Sequence, residues 1–109
     1  MYVILWQFVV REGCAEAFQQ VYGADGDWAK FFRTGTGFVG VELLCDPRDP
    51  RKFVTIDRWE TATDYEEFSR RNAIKYREID ERCEQLTVKE THVGSFDVVG
   101  HPLEPDNRE

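Results

Sequence analysis

The 109-residue sequence predicts an α+β fold of the ferredoxin-like kind: a four-stranded antiparallel sheet with helices on one face, pairing with a second copy into a dimeric α/β barrel. Three observations carry this expectation. Apolar patterning runs in the order strand, paired helices, hairpin, paired helices, strand. The stretch Phe53-Val54-Thr55-Ile56-Asp57-Arg58-Trp59 carries apolar groups on both faces, whereas a half-solvated antiparallel strand alternates apolar and polar residues. The chain is long enough to bury one core but not two, so the second cover for such a sheet is expected from another copy of itself.

Residues 2–10 read as a first strand, apolar on both faces except for Gln7. From Cys14, the residues Phe18, Val21 and Tyr22 recur on one helical face, and Gly23-Ala24-Asp25-Gly26 interrupts that helix. Asp25 is expected to cap a second short helix carrying Trp28, Phe31 and Phe32 at helical spacing. Thr34-Gly35-Thr36-Gly37 is the exit turn, and residues 38–45 form a second strand. Asp46-Pro47-Arg48-Asp49-Pro50 turns the chain into a third strand over 52–60, which makes an antiparallel hairpin. Thr61-Ala62-Thr63-Asp64 matches a capping box. The stripe Tyr65, Phe68, Tyr76, Ile79, Cys83 and Leu86 then predicts helix in two pieces to about residue 85. Residues 87–99 read as a long last strand in which Gly94 marks a bulge. The domain is expected over 1–100, with residues 101–109 as a disordered tail.

Composition narrows the function classes. A hydrophobic share of 41% with 14% aromatics belongs to a folded protein. Fourteen basic against 21 acidic residues give a net charge of -7 without a basic stripe, which argues against nucleic acid or an anionic membrane as partner. No long apolar run and no signal-peptide pattern is present, so the cytoplasm is the expected location. Cys14, Cys45 and Cys83 are odd in number and far apart, and His92 and His101 are the two histidines. Neither set makes a disulfide framework or a metal motif, and no metal is expected.

The strand Gly37–Leu44, the strand end Thr55-Ile56-Asp57-Arg58-Trp59 and the helix start Tyr65-Glu66-Glu67-Phe68 resemble the antibiotic biosynthesis monooxygenase family of dimeric α/β barrels, over Tyr2 to about Val99. The resemblance implies a homodimer through the sheet face and a pocket between sheet and helices. It also implies oxygenase activity on a small planar aromatic compound, such as a quinol or anthrone, without flavin, metal or haem. Such chemistry needs a site that binds, deprotonates and excludes water, because an electron-rich phenolate can itself reduce oxygen. Gln7, Trp28, Phe32, Trp59, Tyr65, Phe68 and Tyr76 are the residues expected near that pocket. A haem-degrading branch of the family uses a strand-one asparagine, a helix tryptophan and a helix histidine. Gln7 stands at about the asparagine position here, but the helix offers Tyr65 and Tyr76 and no histidine, so only a tyrosinate could ligate iron.

Each candidate also has a structural role to weigh. Trp59 can stack on a planar substrate or fill the core at a strand end, and Trp28 and Phe32 belong to a stripe that packs by default. Gln7, the single polar side chain in an apolar strand, can orient a substrate oxygen or bond to a neighbouring side chain. Asp57 and Arg58 point to opposite faces and are expected to pair structurally with opposite charges. His92 is the candidate general base, by virtue of its ordinary pKa, or a surface histidine near a dimer contact. Two further readings stand beside the oxygenase. One is a non-catalytic barrel whose pocket is filled by Trp28, Phe32, Tyr65 and Phe68. The other is a cyclase or isomerase using His92 or Asp57 as a base.

Overall fold

The computed structural model describes residues 1–100; the tail expected from His101 lies outside the described residues. Four strands and four helices follow one another as β1 (Tyr2–Val10), α1 (Ala15–Tyr22), α2 (Asp27–Phe32), β2 (Phe38–Asp46), β3 (Asp49–Trp59), α3 (Ala62–Arg71), α4 (Ala73–Cys83) and β4 (Thr87–Asp97), with a 3-10 turn at Glu84–Leu86 before the last strand. The sheet is antiparallel throughout, in the order β2-β3-β1-β4, which is the ferredoxin-like arrangement.

Local chemistry explains the boundaries. The Thr61 hydroxyl accepts a hydrogen bond from the Asp64 N–H at 3.0 Å, so the capping box opens α3 as its sequence predicts. Asp25 does not cap α2. Gly26 takes that position, where a Cβ would lie 2.3 Å from the Val21 carbonyl oxygen, and Asp25 instead pairs with Arg33 at 2.9 Å. The β2–β3 hairpin is tighter than the turn cluster suggests. Asp46 pairs with Asp49, so Pro47 and Arg48 alone make the turn, with the Arg48 N–H on the Asp46 carboxylate at 2.8 Å. In β4 the register against β1 shifts between Gly94 and His92, a bulge at the place Gly94 marks.

Register decides what each face of the sheet carries. Tyr2, Ile4, Trp6 and Phe8 of β1 stand opposite Trp59, Asp57, Thr55 and Phe53 of β3, and Val41 of β2 stands opposite Asp57. This face meets the helices. Ile4, Phe8, Phe53 and Trp59 are buried there against Phe18, Tyr22, Trp28, Phe32 and Phe68. Burial of each such side chain contributes roughly 1.5–3 kcal/mol before the entropy of ordering it. The other face carries Val3, Leu5, Gln7 and Val9 of β1, Val54, Ile56 and Arg58 of β3, with Leu44 and Phe96 from the outer strands. Among the described residues no helix covers that face: Leu44 and Phe96 are exposed, and the named β1 and β3 residues are half-buried. Among the described residues, no helix is long and apolar enough to cross a membrane.

Candidate active site

A cavity of about 80 Å³ lies between the sheet and the helices, and it opens toward the α4–β4 side. Trp6 and Phe8 of β1, Val41 of β2, and Thr55 and Asp57 of β3 line it from the sheet; Tyr22, Trp28, Phe32, Tyr76 and Asp80 line it from the helices, and Glu90 of β4 stands at its edge. Alternation along β3 puts Thr55 and Asp57 on the helix face in phase with Phe53 and Trp59. The helical stripe from α2 brings Trp28 and Phe32 together at 5.6 Å, and Tyr76 meets Trp28 edge-on at 5.1 Å.

Asp57 is the unusual group. It is only 9% exposed, and neither a cation nor a hydrogen-bond donor holds its carboxylate among the described residues. Desolvation alone raises its pKa from 3.8 to about 7. Structural pairing, expected for both members of the Asp57-Arg58 dipeptide, holds only for Arg58, whose Nη1 lies 3.0 Å from Glu42 Oε1 on the opposite face. The physical reason is the strand period: adjacent residues face opposite sides, and the helix side offers Asp57 only apolar and aromatic neighbours and other acids.

Tyr76 is raised well above its ordinary pKa by burial first, then by Tyr65, Asp57 and Asp80. Its hydroxyl is 3.4 Å from that of Tyr65. Burial likewise raises Tyr22, with the neighbouring Cys83 and Glu90 adding to the effect. Both phenols therefore stay protonated and act as hydrogen-bond donors near neutral pH. Burial also raises Asp80 and Glu90, and their mutual proximity contributes to the shift of Glu90. Among the described residues, no three His, Cys, Asp or Glu side chains stand close enough to hold a metal ion.

Of the residues singled out from sequence, Trp28, Phe32 and Tyr76 line this cavity. Gln7 stands away from it: it pairs in register with Val54 and Thr91 and shares their face, the one without helices. Trp59 is 0% exposed and enclosed by Phe32, Phe38, Tyr65 and Phe68, so it fills the core instead of walling the cavity. Phe68 is core as well, and Tyr65 reaches the site only through its contact with Tyr76. His92 is exposed, with its ring 4.9 Å from that of Trp6 and Nε2 3.1 Å from the Ser95 hydroxyl; it stands behind the Trp6 wall. Tyr22, whose phenol the sequence offers with Tyr65 and Tyr76 as a possible proton donor, lines the cavity too, whereas Trp6, Thr55, Asp80 and Glu90 are lining residues that the sequence did not single out. One signal was available: Asp57 is a charge in phase with Phe53 and Trp59, the two bulkiest groups of its strand.

The sequence profile of the antibiotic biosynthesis monooxygenase family matches residues 1–76, which is more than half of the chain. The chain belongs to the antibiotic biosynthesis monooxygenase family. That match spans β1 to the first turn of α4 and therefore includes most of the cavity wall, Asp57 and Tyr76 among it. Solved structures share the fold. A variant of SnoaB, a cofactor-independent oxygenase from Streptomyces nogalater, is 20% identical and superposes with a TM-score of 0.77 over 94% of this chain and 97% of that one. A putative antibiotic biosynthesis monooxygenase from Nitrosomonas europaea is 18% identical, with a TM-score of 0.70 over 92% and 100% of the two chains. Another, from Deinococcus radiodurans, is 12% identical, with a TM-score of 0.73 over 98% and 100%. At these identities the antibiotic biosynthesis monooxygenase structures establish a common fold. No curated protein sequence is significantly similar.

Proposed function

We propose that this protein is a cofactor-independent monooxygenase acting on a single-ring phenol or quinol. The observation that carries the reading is Asp57, an unpaired carboxylate with a pKa of about 7 lining an aromatic cavity. A base poised near neutrality is what phenol deprotonation needs, because it is ionised often enough to accept a proton and basic enough to pull it. Family membership and the likeness to SnoaB, a cofactor-independent oxygenase, support the reaction class.

The size of the cavity supports a small substrate. An engineered apolar cavity of about 150 Å³ takes up benzene. A space of about 80 Å³ continued by an open mouth therefore suits one ring better than the three fused rings of an anthrone.

The steps balance without a cofactor. Asp57 accepts the phenolic proton, and the phenolate gives one electron to molecular oxygen. The resulting ring radical and superoxide combine at a ring carbon that bears hydrogen. The peroxide takes the proton back from Asp57. The Asp57 carboxylate then removes the hydrogen from that carbon as a proton; the C–H electrons form a carbonyl, the O–O bond breaks, and hydroxide leaves to become water. One oxygen atom ends in the quinone and the other in water. Tyr76 and Tyr22 donate hydrogen bonds from the walls, and the apolar rings keep bulk water from the peroxide. We further propose that the uncovered sheet face, with Leu5, Val54 and Ile56 at its middle, packs against a second copy, as the fold of this family leads one to expect.

Oxygen uptake tests the reading. With chelator present and flavin absent, a panel of substituted phenols and hydroquinones is expected to yield quinone with one oxygen consumed per turnover and no accumulated hydrogen peroxide; label from oxygen gas enters the product. No uptake across the panel by folded protein overturns it. A second reading shares the Asp57 observation: a proton-transfer cyclase or isomerase. It is favoured instead if a carbon acid exchanges deuterium from solvent in the pocket while oxygen is not consumed.

A further inference from the structure

The charge of the cavity has no counterweight. Asp57, Asp80 and Glu90 all line it, and among the described residues no Lys, Arg or His does. The ion pairs among the described residues involve Asp25, Glu42, Asp46 and Glu67, so none of these three acids is neutralised by a partner in the fold. Asp57 is nine-tenths buried at the inner end, whereas Asp80 is half-buried and Glu90 exposed toward the mouth. Between them stand the faces and edges of Trp6, Trp28 and Tyr76. Carboxylates combined with aromatic rings form a surface that attracts a cation and disfavours an anion.

We propose that the ligand of this cavity is an amine-bearing phenol, its ring hydroxyl directed to Asp57 and its ammonium group held at the mouth by Asp80 and Glu90. This inference rests on the oxygenase reading for the fate of the ring but not for its recognition. The two mouth acids come from different elements, Asp80 from α4 and Glu90 from β4, and stand near enough for the charge of Asp80 to act on Glu90, so an ammonium between them approaches both. A carboxylate or phosphate at the same point meets the two mouth acids with no basic lining residue to offset them.

Three probes with a common ring and short side chains of differing charge test it. Ethylhydroquinone, its aminoethyl analogue and its carboxymethyl analogue are titrated into the protein by calorimetry at neutral pH with oxygen excluded. The amine is expected to bind about tenfold more tightly than the neutral compound and the acid about tenfold more weakly, in line with two partly exposed charge contacts. The preference is expected to shrink in high salt and to disappear in the Asp80→Asn, Glu90→Gln double variant, checked for folding by circular dichroism. Equal affinities, a preference for the acid, or no binding by any of the three overturns the inference. Oxygen uptake is read separately on the same probes. Charge-ordered binding without uptake leaves amine recognition standing and removes the oxygenase reading; uptake without charge order does the reverse.

Discussion

Asp57 and Arg58 are consecutive on β3 yet live in opposite environments: Arg58 holds Glu42 at 3.0 Å on the uncovered face, while Asp57 faces the helices with no partner for its charge among the described residues. The unpaired carboxylate must cost stability whenever it is ionised. Its folded-state pKa of about 7 lies above the unfolded value near 3.8, so the folded protein binds this proton more tightly. Stability from this group is therefore greatest below about pH 4, falls as pH rises through the window between the two values, and is fully lost above about 7. The displacement converts to at most roughly 4 kcal/mol. Asp57→Asn is expected to be more stable than the parent at pH 8, by about 1–3 kcal/mol once local relaxation is allowed for, and the gain is expected to close toward pH 4. Urea unfolding at the two pH values measures it. An equal effect at both would mean that Asp57 is not a strained carboxylate.

On the proposed reaction, the same group is expected to set the pH dependence of turnover. Oxygen uptake per active site is expected to rise with pH along a limb centred near 7, where Asp57 ionises, and the Asp57→Asn variant is expected to lose about 10²–10⁴ of kcat/KM. Activity and stability then move in opposite directions in one substitution, which is the mark of a group held in place for chemistry. A variant that keeps its rate and its pH limb would return His92 to consideration as the base.

Trp59 supplies the contrasting case. It is completely enclosed, and its indole N–H has no hydrogen-bond acceptor among the described residues, so Trp59→Phe gives up packing volume but no hydrogen bond. A loss of about 1–2 kcal/mol is expected for Phe, against about 3–5 kcal/mol for Ala. Because the ring does not border the cavity, the Phe variant is expected to bind substrate within about threefold of the parent while it remains folded. A larger loss of affinity with intact stability would make Trp59 a pocket wall after all.

The sequence was most legible where a period could be counted. Phe53, Thr55, Asp57 and Trp59 share a face because strand side chains alternate, and Trp28 with Phe32 share one because helical ones recur every fourth residue. What could not be counted was which strand face the helices choose, since both carry apolar groups. That choice moved Gln7 to the uncovered side, together with Val54, its register partner. The physical signal was size. Phe8, Phe53 and Trp59 fill the deep space under the helices, whereas the shorter Val3, Leu5, Val54 and Ile56 make a flatter surface. Asp80 and Glu90 were illegible for another reason: they converge from two separate elements, and no local pattern records that.

The flatter surface leads to the last expected outcome. Val3, Leu5, Val54 and Ile56 are β-sheet neighbours around the middle of β1 and β3, and Phe96, 50% exposed, extends the patch onto β4. The Arg58–Glu42 pair lies beside it on the same face. An apolar sheet face of this extent is unfavourable in water unless another sheet covers it. Because Leu5 sits at the centre of β1, opposite Ile56 on one side and Gly94 on the other, a carboxylate there cannot reach the rim of any sheet-on-sheet contact. Leu5→Asp is thus expected to convert a parent dimer into a folded monomer in analytical ultracentrifugation at micromolar concentration, because burying an unpaired charge there costs several kcal/mol per copy. The far-ultraviolet circular dichroism is expected to persist, since Leu5 points away from the helix-side core. A parent protein that sediments as a monomer would leave this face to a different cover and would separate the family fold from the paired barrel.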